Sequence, residues 1–197
     1  MIMSVDSLDI LDDVCFSKFI TLIHKLTGIT IGKNRKSMVQ GRLRKRVLAL
    51  SLNSYDEYLN FILNHEEEKT PFIDLVTTNE TYFFRTPRIW SYIESQLLPA
   101  YQQNNSGKTF SAWSAASSTG EEAHSLGVLC QQFKDRNISF NYEISASDIS
   151  KRVVDICRNG AYTGRSIESF RNSMPQTFSK YMTENRDGIF SVQSEIK

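Results

Sequence analysis

The stretch Phe110–Ser125, FSAWSAASSTGEEAHS, constrains this chain more than any other. It begins as a short apolar run, passes through a loop of Ala, Ser, Thr and one Gly, and enters a helix-like segment. That is the layout of a strand, a tight loop and a helix N-terminus, where α/β folds hold nucleotide-like ligands. Small residues let ligand atoms approach the backbone, and the first helical N–H groups are left free to donate. Glu121 and Glu122 stand where the helix begins and would repel a phosphate. A ligand carrying hydroxyls or an amino group fits better than a nucleoside triphosphate.

Downstream, Leu126, Leu129, Cys130 and Phe133 give that helix one buried face. Tyr142–Ser147, YEISAS, reads as a second strand that ends at Asp148, and a helix with Val153, Val154 and Ile156 follows and stops near Gly160. Strand, loop, helix, strand and acid make the first half of a doubly wound fold. In such folds an acid at the carboxyl end of the second strand accepts both ribose hydroxyls. Asp148 has either that role or the simpler one of capping the next helix. The segment from Met174 reads as one short helix, then a turn at NRDG into a final strand.

Upstream, Phe16, Phe19, Ile20, Ile23 and Leu26 recur at helix period, with Gly28 as the stop. Between Lys33 and Arg46 lie seven basic residues and no acid. On a helix, Val39, Leu43, Val47 and Leu50 form an apolar arc beside a row of Arg35, Arg42 and Arg46. The row is either a solvated face or a docking surface for an acidic partner. No aromatic residue is interleaved to stack on bases, so an acidic protein helix suits it better than nucleic acid. Ser54–Glu57 has the capping-box pattern, HEEEKT reads as a charged break, and Thr86-Pro87 reads as an N-cap with Pro at the first helical position. The following helix carries Ile89, Ile93 and Leu97. A domain boundary is expected near residues 68 to 80.

With a formal net charge of +1, nothing drives the whole chain toward nucleic acid or membrane. No apolar run reaches the length of a membrane span, and MIMSVDSLDILDD is acidic where a signal peptide would be basic. Cys15, Cys130 and Cys157 lie far apart without a CxxC and read as reduced, buried thiols of a cytoplasmic protein. His24, His65 and His124 lack ligand spacing, so no metal site is expected.

TTNETYFFR, WSAASSTGEEAHS and SASDISKRVVDICRNGAY together resemble the chemotaxis receptor methyltransferases of the CheR type. GITIGKNRKSMVQGRLRKRVLAL is similar to that family's small helical domain, whose basic helix contacts receptors. The resemblance implies an α/β fold: a helical N-terminal domain over residues 1–72, a linker to about 80, and part of a class I S-adenosylmethionine-dependent methyltransferase sheet over 81–197. It implies S-adenosyl-L-methionine as cofactor, S-adenosyl-L-homocysteine as product, and glutamates on receptor helices as methyl acceptors, with the chain a cytoplasmic monomer. Carried over residue by residue, it implies that Asn79, Thr81 and Arg85 face the cofactor or the methyl-transfer point. It likewise makes Glu122 a cofactor carboxylate, Asp148 the ribose acid, and Arg35, Arg42 and Arg46 the receptor face. Arg85 would orient the incoming carboxylate, or else brace the interdomain linker as an ion pair. The chain departs where the family has Pro-Tyr after GEE, with Ala123-His124 instead. Family members continue past the position of Lys197, so the resemblance makes this chain lack their C-terminal third. The alternative reading is a receptor-docking module that keeps the basic helix without methyl transfer.

Overall fold

The computed structural model describes residues 10–185 and 188–196. The acidic reading of the first nine residues, and the middle of the NRDG turn at 186–187, lie outside them. Two compact units, Met1–Thr78 and Asn79–Lys197, make up the chain.

The first unit is all helical: α1 (Asp13–Thr27), α2 (Lys36–Ala49), α3 (Tyr55–Asn64) and α4 (Lys69–Val76). Helix α1 starts where the Asp12 carboxylate accepts the Cys15 N–H at 2.7 Å. It stops at Gly28, whose φ of 72° lets its N–H turn back to the His24 carbonyl. Helix α3 starts where Ser54 Oγ accepts the Glu57 N–H. The Glu57 carboxylate turns back to the Asn53 N–H, one residue earlier than the capping-box pattern places it. Phe19, Tyr58 and Phe72, from α1, α3 and α4, meet with ring centroids 6.1 to 6.3 Å apart and anchor the core. Val39, Leu43 and Val47 of α2 are buried with them.

HEEEKT, read as a charged break, leaves Glu66 and Glu67 exposed but buries Glu68. Its glutamates form a 3-10 turn, and Glu68 is only 3% exposed. Arg46 Nε and Nη2 fork onto its two oxygens at 2.7 and 2.5 Å, and the Tyr58 hydroxyl donates at 2.9 Å. A buried carboxylate is tolerated because these donors replace its water.

The second unit opens with α5 (Pro87–Tyr92), a π-helical turn over Ile93–Leu97, and α6 (Leu98–Asn104). Pro87 holds the first helical position, but Thr86 does not cap: it sits at φ 63° and makes no capping bond. The wider π turn takes up an extra residue and shifts the phase of the helix. Trp90 and Leu98 face the core, while Ile89 and Leu97 are 54% and 37% exposed.

Strand β1 (Thr109–Ala115), helix α7 (Glu121–Arg136) and strand β2 (Asn141–Ser147) form a parallel β-α-β unit in register from Thr109↔Asn141 to Ala115↔Ser147. Alternate residues Phe110, Ala112 and Ser114 point toward the packed face. Helix α8 (Lys151–Asn159) follows and ends at Gly160, with φ 61°. Next come β3 (Ala161–Tyr162), α9 (Arg165–Ser173), α10 (Pro175–Tyr181), β4 (Met182–Glu184) and β5 (Phe190–Val192). The last three strands form a separate antiparallel sheet in the order β3-β5-β4. The sequence reading anticipated only one helix and one strand in this stretch, since strands of two or three residues carry no readable alternation. The architecture is α/β, with two parallel strands of a doubly wound sheet among the described residues.

Burial raises the pKa of Glu68, but the hydrogen bonds from Arg46 and Tyr58 outweigh it and hold the carboxyl below its ordinary value. A depressed carboxylate contributes stability that is present above the ordinary value of about 4.3 and lost as pH falls through the lower folded value. Glu68→Gln should therefore flatten the acid limb of a stability-against-pH curve measured by urea unfolding; an unchanged limb would clear Glu68 of this role. Arg46→Ala should cost about 2 kcal/mol at neutral pH, the loss of a buried pair discounted for a half-exposed guanidinium.

Candidate functional site

The carboxyl ends of β1 and β2 carry the candidate site. After Ala115 the chain cannot continue as strand, because Ala116 and Ser118 both have positive φ, at 55° and 50°. Side-chain-bearing residues are held in this region only where surrounding bonds over-determine them. Here the bonds are visible. The Ser117 N–H donates to the Ser147 carbonyl, and the Ser118 N–H donates to Asp148 Oδ2 at 2.9 Å. Ser118 Oγ donates to the Asn79 carbonyl at 3.1 Å. Gly120, at φ 96°, closes the loop, and a Cβ there would lie 2.3 Å from Cys157 Sγ. Only glycine satisfies both the backbone angle and the space.

Asp148 Oδ1 accepts the Ser150 N–H at 2.9 Å, so each carboxylate oxygen holds one backbone donor. Each keeps a lone pair for a further donor, which suits a vicinal diol. Asp148 is not the cap of α8, since Ser150 Oγ accepts the Val153 N–H in that role. Of the two acids opening α7, neighbours on a helix point about 100° apart, and they part company. Glu121 is 2% exposed, takes a bond from Thr119 Oγ1 at 2.6 Å, and has its pKa pushed up by burial. Glu122 is exposed and accepts from Ser114 Oγ at 2.7 Å.

Glu122 and Arg85 line one pocket of about 460 Å³, together with Trp90, Trp113 and Ser114. Arg85 is presented by a strained backbone, for Phe84 and Thr86 on either side have φ of 56° and 63°. Ser125, inside α7, pins this segment: its Oγ accepts the Phe84 N–H at 3.0 Å and donates to the Glu121 carbonyl at 2.6 Å. Phe83 and Phe84 pack on Phe170, with centroids 5.5 and 4.7 Å away. Trp90 Nε1 donates to the Arg85 carbonyl, and Arg85 Nη1 donates to the Glu80 carbonyl at 3.1 Å. Asn79 joins the site through its carbonyl on Ser118, and Thr81 is half-buried. The pocket thus brings Arg85 and Glu122 together, while Asn79 and Asp148 meet at Ser118 outside its lining.

Sequence reasoning missed Ser114, Ser118 and Ser125, which it took only as small residues. A hydroxyl's partner depends on tertiary placement and leaves no mark in the local pattern. The Ala123-His124 departure is absorbed as packing: His124 is buried, and its Nε2 donates to the Cys157 carbonyl at 3.1 Å. The Cys157 thiol itself is pushed up by burial and by the neighbouring Glu121. Among the described residues no group of three or more His, Cys, Asp or Glu could hold a metal ion.

In the first unit the arginine row divides. Arg42 donates through Nη1 to the Val76 carbonyl and through Nη2 to Thr78 Oγ1, at 2.6 and 2.9 Å. Arg46 is committed to Glu68, and Arg35 is exposed at the start of α2.

Residues 79–197 match the family model described as CheR methyltransferase, SAM binding domain, and residues 15–77 match CheR methyltransferase, all-alpha domain. The chain belongs to the CheR methyltransferase family. It is 31% identical over 191 residues to the chemotaxis protein methyltransferase of Escherichia coli K12, an alignment that covers 94% of this chain and 63% of that protein. The chemotaxis protein methyltransferase of Borreliella burgdorferi is 27% identical, with 92% of this chain and 65% of the relative covered. For chemotaxis protein methyltransferase 1 of Pseudomonas aeruginosa the figures are 26%, 92% and 67%. The chain therefore spans about two thirds of the length of these curated relatives. The two-strand parallel sheet is a partial class I methyltransferase sheet, and the family's cofactor is S-adenosyl-L-methionine. The residues present suit that cofactor: Asp148 has capacity for a diol, Glu122 offers a carboxylate to an ammonium group, and the loop after β1 is built of small residues.

Ser125→Ala should leave the buried Phe84 N–H without its acceptor, at a cost of about 1–3 kcal/mol. Chemical unfolding and hydrogen exchange at the Phe84 amide measure it. Unchanged protection at that amide would remove Ser125 as the pin of the Arg85 segment.

Proposed function

We propose that this chain contributes cofactor binding and carboxylate positioning to a cytoplasmic S-adenosylmethionine-dependent protein-glutamate O-methyltransferase acting on chemotaxis receptors. The observation that carries the reading is the small-residue loop after β1, with Asp148 bound to its Ser118 N–H and Glu122 following it in a pocket shared with Arg85. When bound, the cofactor supplies a methyl group on an electrophilic sulfonium centre.

Each side chain then has a part that its chemistry allows. Asp148 accepts the two ribose hydroxyls with the lone pairs that Ser118 and Ser150 leave open. Glu122, steadied by Ser114, takes the amino group of the cofactor's amino-acid portion. Asn79 and Thr81 sit on the segment that leads to Arg85. Arg85 orients the acceptor carboxylate, for which a guanidinium fork is the matching donor set. A glutamate acceptor is already ionised at neutral pH, so the reaction requires no general base. Positioning and exclusion of water supply the rate. That agrees with a site whose nearest thiol, Cys157, is held protonated by burial.

Receptor contact falls to the basic face of α2. Beside it Arg35 is exposed and makes no ion pair among the described residues, so it can meet an acidic helix, whereas Arg42 and Arg46 serve the fold first and present only their remaining donors. Calorimetric titration with S-adenosyl-L-homocysteine tests the proposal directly. Binding should be measurable, and Asp148→Ala should weaken it by about 1–3 kcal/mol, the cost of leaving hydroxyls unpaired. Asp148→Asn, which keeps one oxygen for Ser118, should lose less than Ala does. No binding to the folded parent chain at millimolar ligand would defeat the cofactor reading; unchanged affinity in Asp148→Ala would defeat the role of Asp148 alone.

A further inference from the structure

Helix α5 presents a strip of side chains that runs outward from the pocket holding Arg85. Trp90 faces the core, and Ile89 and Ile93 line the pocket wall. At about 100° per residue, Arg88 and Tyr92 lie together on the side of Ile89 away from Trp90. Ile89 is 54% exposed and Tyr92 is 58% exposed, so hydrocarbon is left in water next to an exposed guanidinium. Arg85 extends the strip from just before the helix, its guanidinium carbon 6.0 Å from the centroid of the partly exposed Tyr82 ring. Arginine, tyrosine and isoleucine without an interleaved acid make the composition of a recognition surface.

The charges and the adjoining pocket say what this surface takes. Arg88 makes no ion pair among the described residues, and the printed bond from Arg85 is that of Nη1 to the Glu80 carbonyl, which leaves other donors of its fork. The nearby acids have partners of their own. Glu122 accepts from Ser114 Oγ within the pocket, and Glu94 stands 3.5 Å from Arg136. The strip is therefore positive, and it favours an acidic partner. Two cations with apolar side chains between them suit an amphipathic polypeptide better than a phosphate backbone. Ile89 belongs to both the strip and the pocket wall, so a partner that covers the strip also reaches the pocket. A helix whose glutamate enters toward Arg85 sets the side chains three and four residues on against Ile89 and Tyr92. Those side chains must be apolar to take this hydrocarbon out of water.

We propose that the outer face of α5 is a docking surface for the methyl acceptor, one that selects an acidic amphipathic helix with an apolar residue one turn from the acceptor glutamate. Ile89 and Tyr92 determine that specificity, and Arg88 takes a flanking acid. The proposal rests on the methyl-transfer reading only for which glutamate enters the pocket, and docking itself needs no cofactor.

Fluorescence anisotropy with labelled synthetic helices tests the surface on the whole chain without cofactor. The probe is an alanine-rich peptide carrying one glutamate, a leucine one turn on and a second glutamate beside the leucine. Serine in place of the leucine should weaken binding to the parent chain about fivefold. Glutamine in place of both glutamates should weaken it further and remove its salt dependence. Ile89→Ser and Tyr92→Ser should each bind the leucine and serine peptides alike, and Arg88→Glu should weaken the glutamate peptide about tenfold. Tyr92 lies outside the pocket lining, so Tyr92→Ser should keep the parent's circular dichroism and its affinity for S-adenosyl-L-homocysteine, and it carries the test if Ile89→Ser disturbs the fold. A folded parent chain that binds no acidic peptide at submillimolar concentration overturns the proposal. So does one that binds the leucine and serine peptides equally, or a Tyr92→Ser chain that retains the leucine preference. Peptide binding with this preference in a chain that takes no S-adenosyl-L-homocysteine would uphold the surface and overturn the cofactor reading instead.

Discussion

The bond from the Ser118 N–H to the Asp148 carboxylate joins the ends of two adjacent parallel strands, and the ligand end of the second unit depends on it. Parallel pairing brings the ends of β1 and β2 level, with Ala115 opposite Ser147. It does not by itself fix the loop that leaves β1. That loop needs positive φ at Ala116 and Ser118, which costs of order 1–3 kcal/mol per residue and must be offset by contacts. Asp148 and the Ser147 carbonyl provide them from β2. On the proposed reading the same carboxylate would also meet the ligand, holding the loop in shape and reading what enters it. Structure and recognition would then share one acid.

A parallel logic governs Arg85. Its neighbours Phe84 and Thr86 are both in the left-handed region, an arrangement the local sequence does not favour. Two buried rings and the Ser125 hydroxyl hold it. The exposed guanidinium is thus carried on a rigid piece of main chain, the condition for positioning a substrate within a fraction of an ångström.

Much of this was legible in the sequence where local chemistry decides. Gly28 and Gly160 as stops, Ser54 as a cap and the strand–loop–helix of Phe110–Ser125 each rest on interactions within a few residues. The misreadings have a common cause, which is that tertiary contacts reassigned groups whose local meaning was ambiguous. Glu68, one acid among several, became a buried counterion because Arg46 lies across from it. Glu121 and Glu122 were equal in sequence and were separated by which side of α7 meets the core. Ile89 and Leu97 are exposed because their neighbours Trp90 and Leu98 take the core positions. The arginine row shows the limit of periodicity most plainly. Spacing placed Arg42 and Arg46 on one side of α2, but whether a cation on a face meets solvent or a carbonyl depends on the chain that packs there.

The largely buried cluster beneath the loop gives the last constraint on chemistry. Glu121, His124, Cys157 and Tyr162 surround Gly120, a grouping that elsewhere would suggest a nucleophile and its base. Their environments argue against it. Burial and the Glu121 charge push both the Cys157 thiol and the Tyr162 hydroxyl up, so neither is ionised near neutrality. The Tyr162 hydroxyl donates to the Thr119 carbonyl, and the His124 ring donates to the Cys157 carbonyl at the end of α8. Each polar group is consumed in fixing the loop from below. What remains open to a ligand above the loop is carboxylate and guanidinium, groups that bind and orient. A reaction whose nucleophile arrives already ionised is the kind such a site can serve.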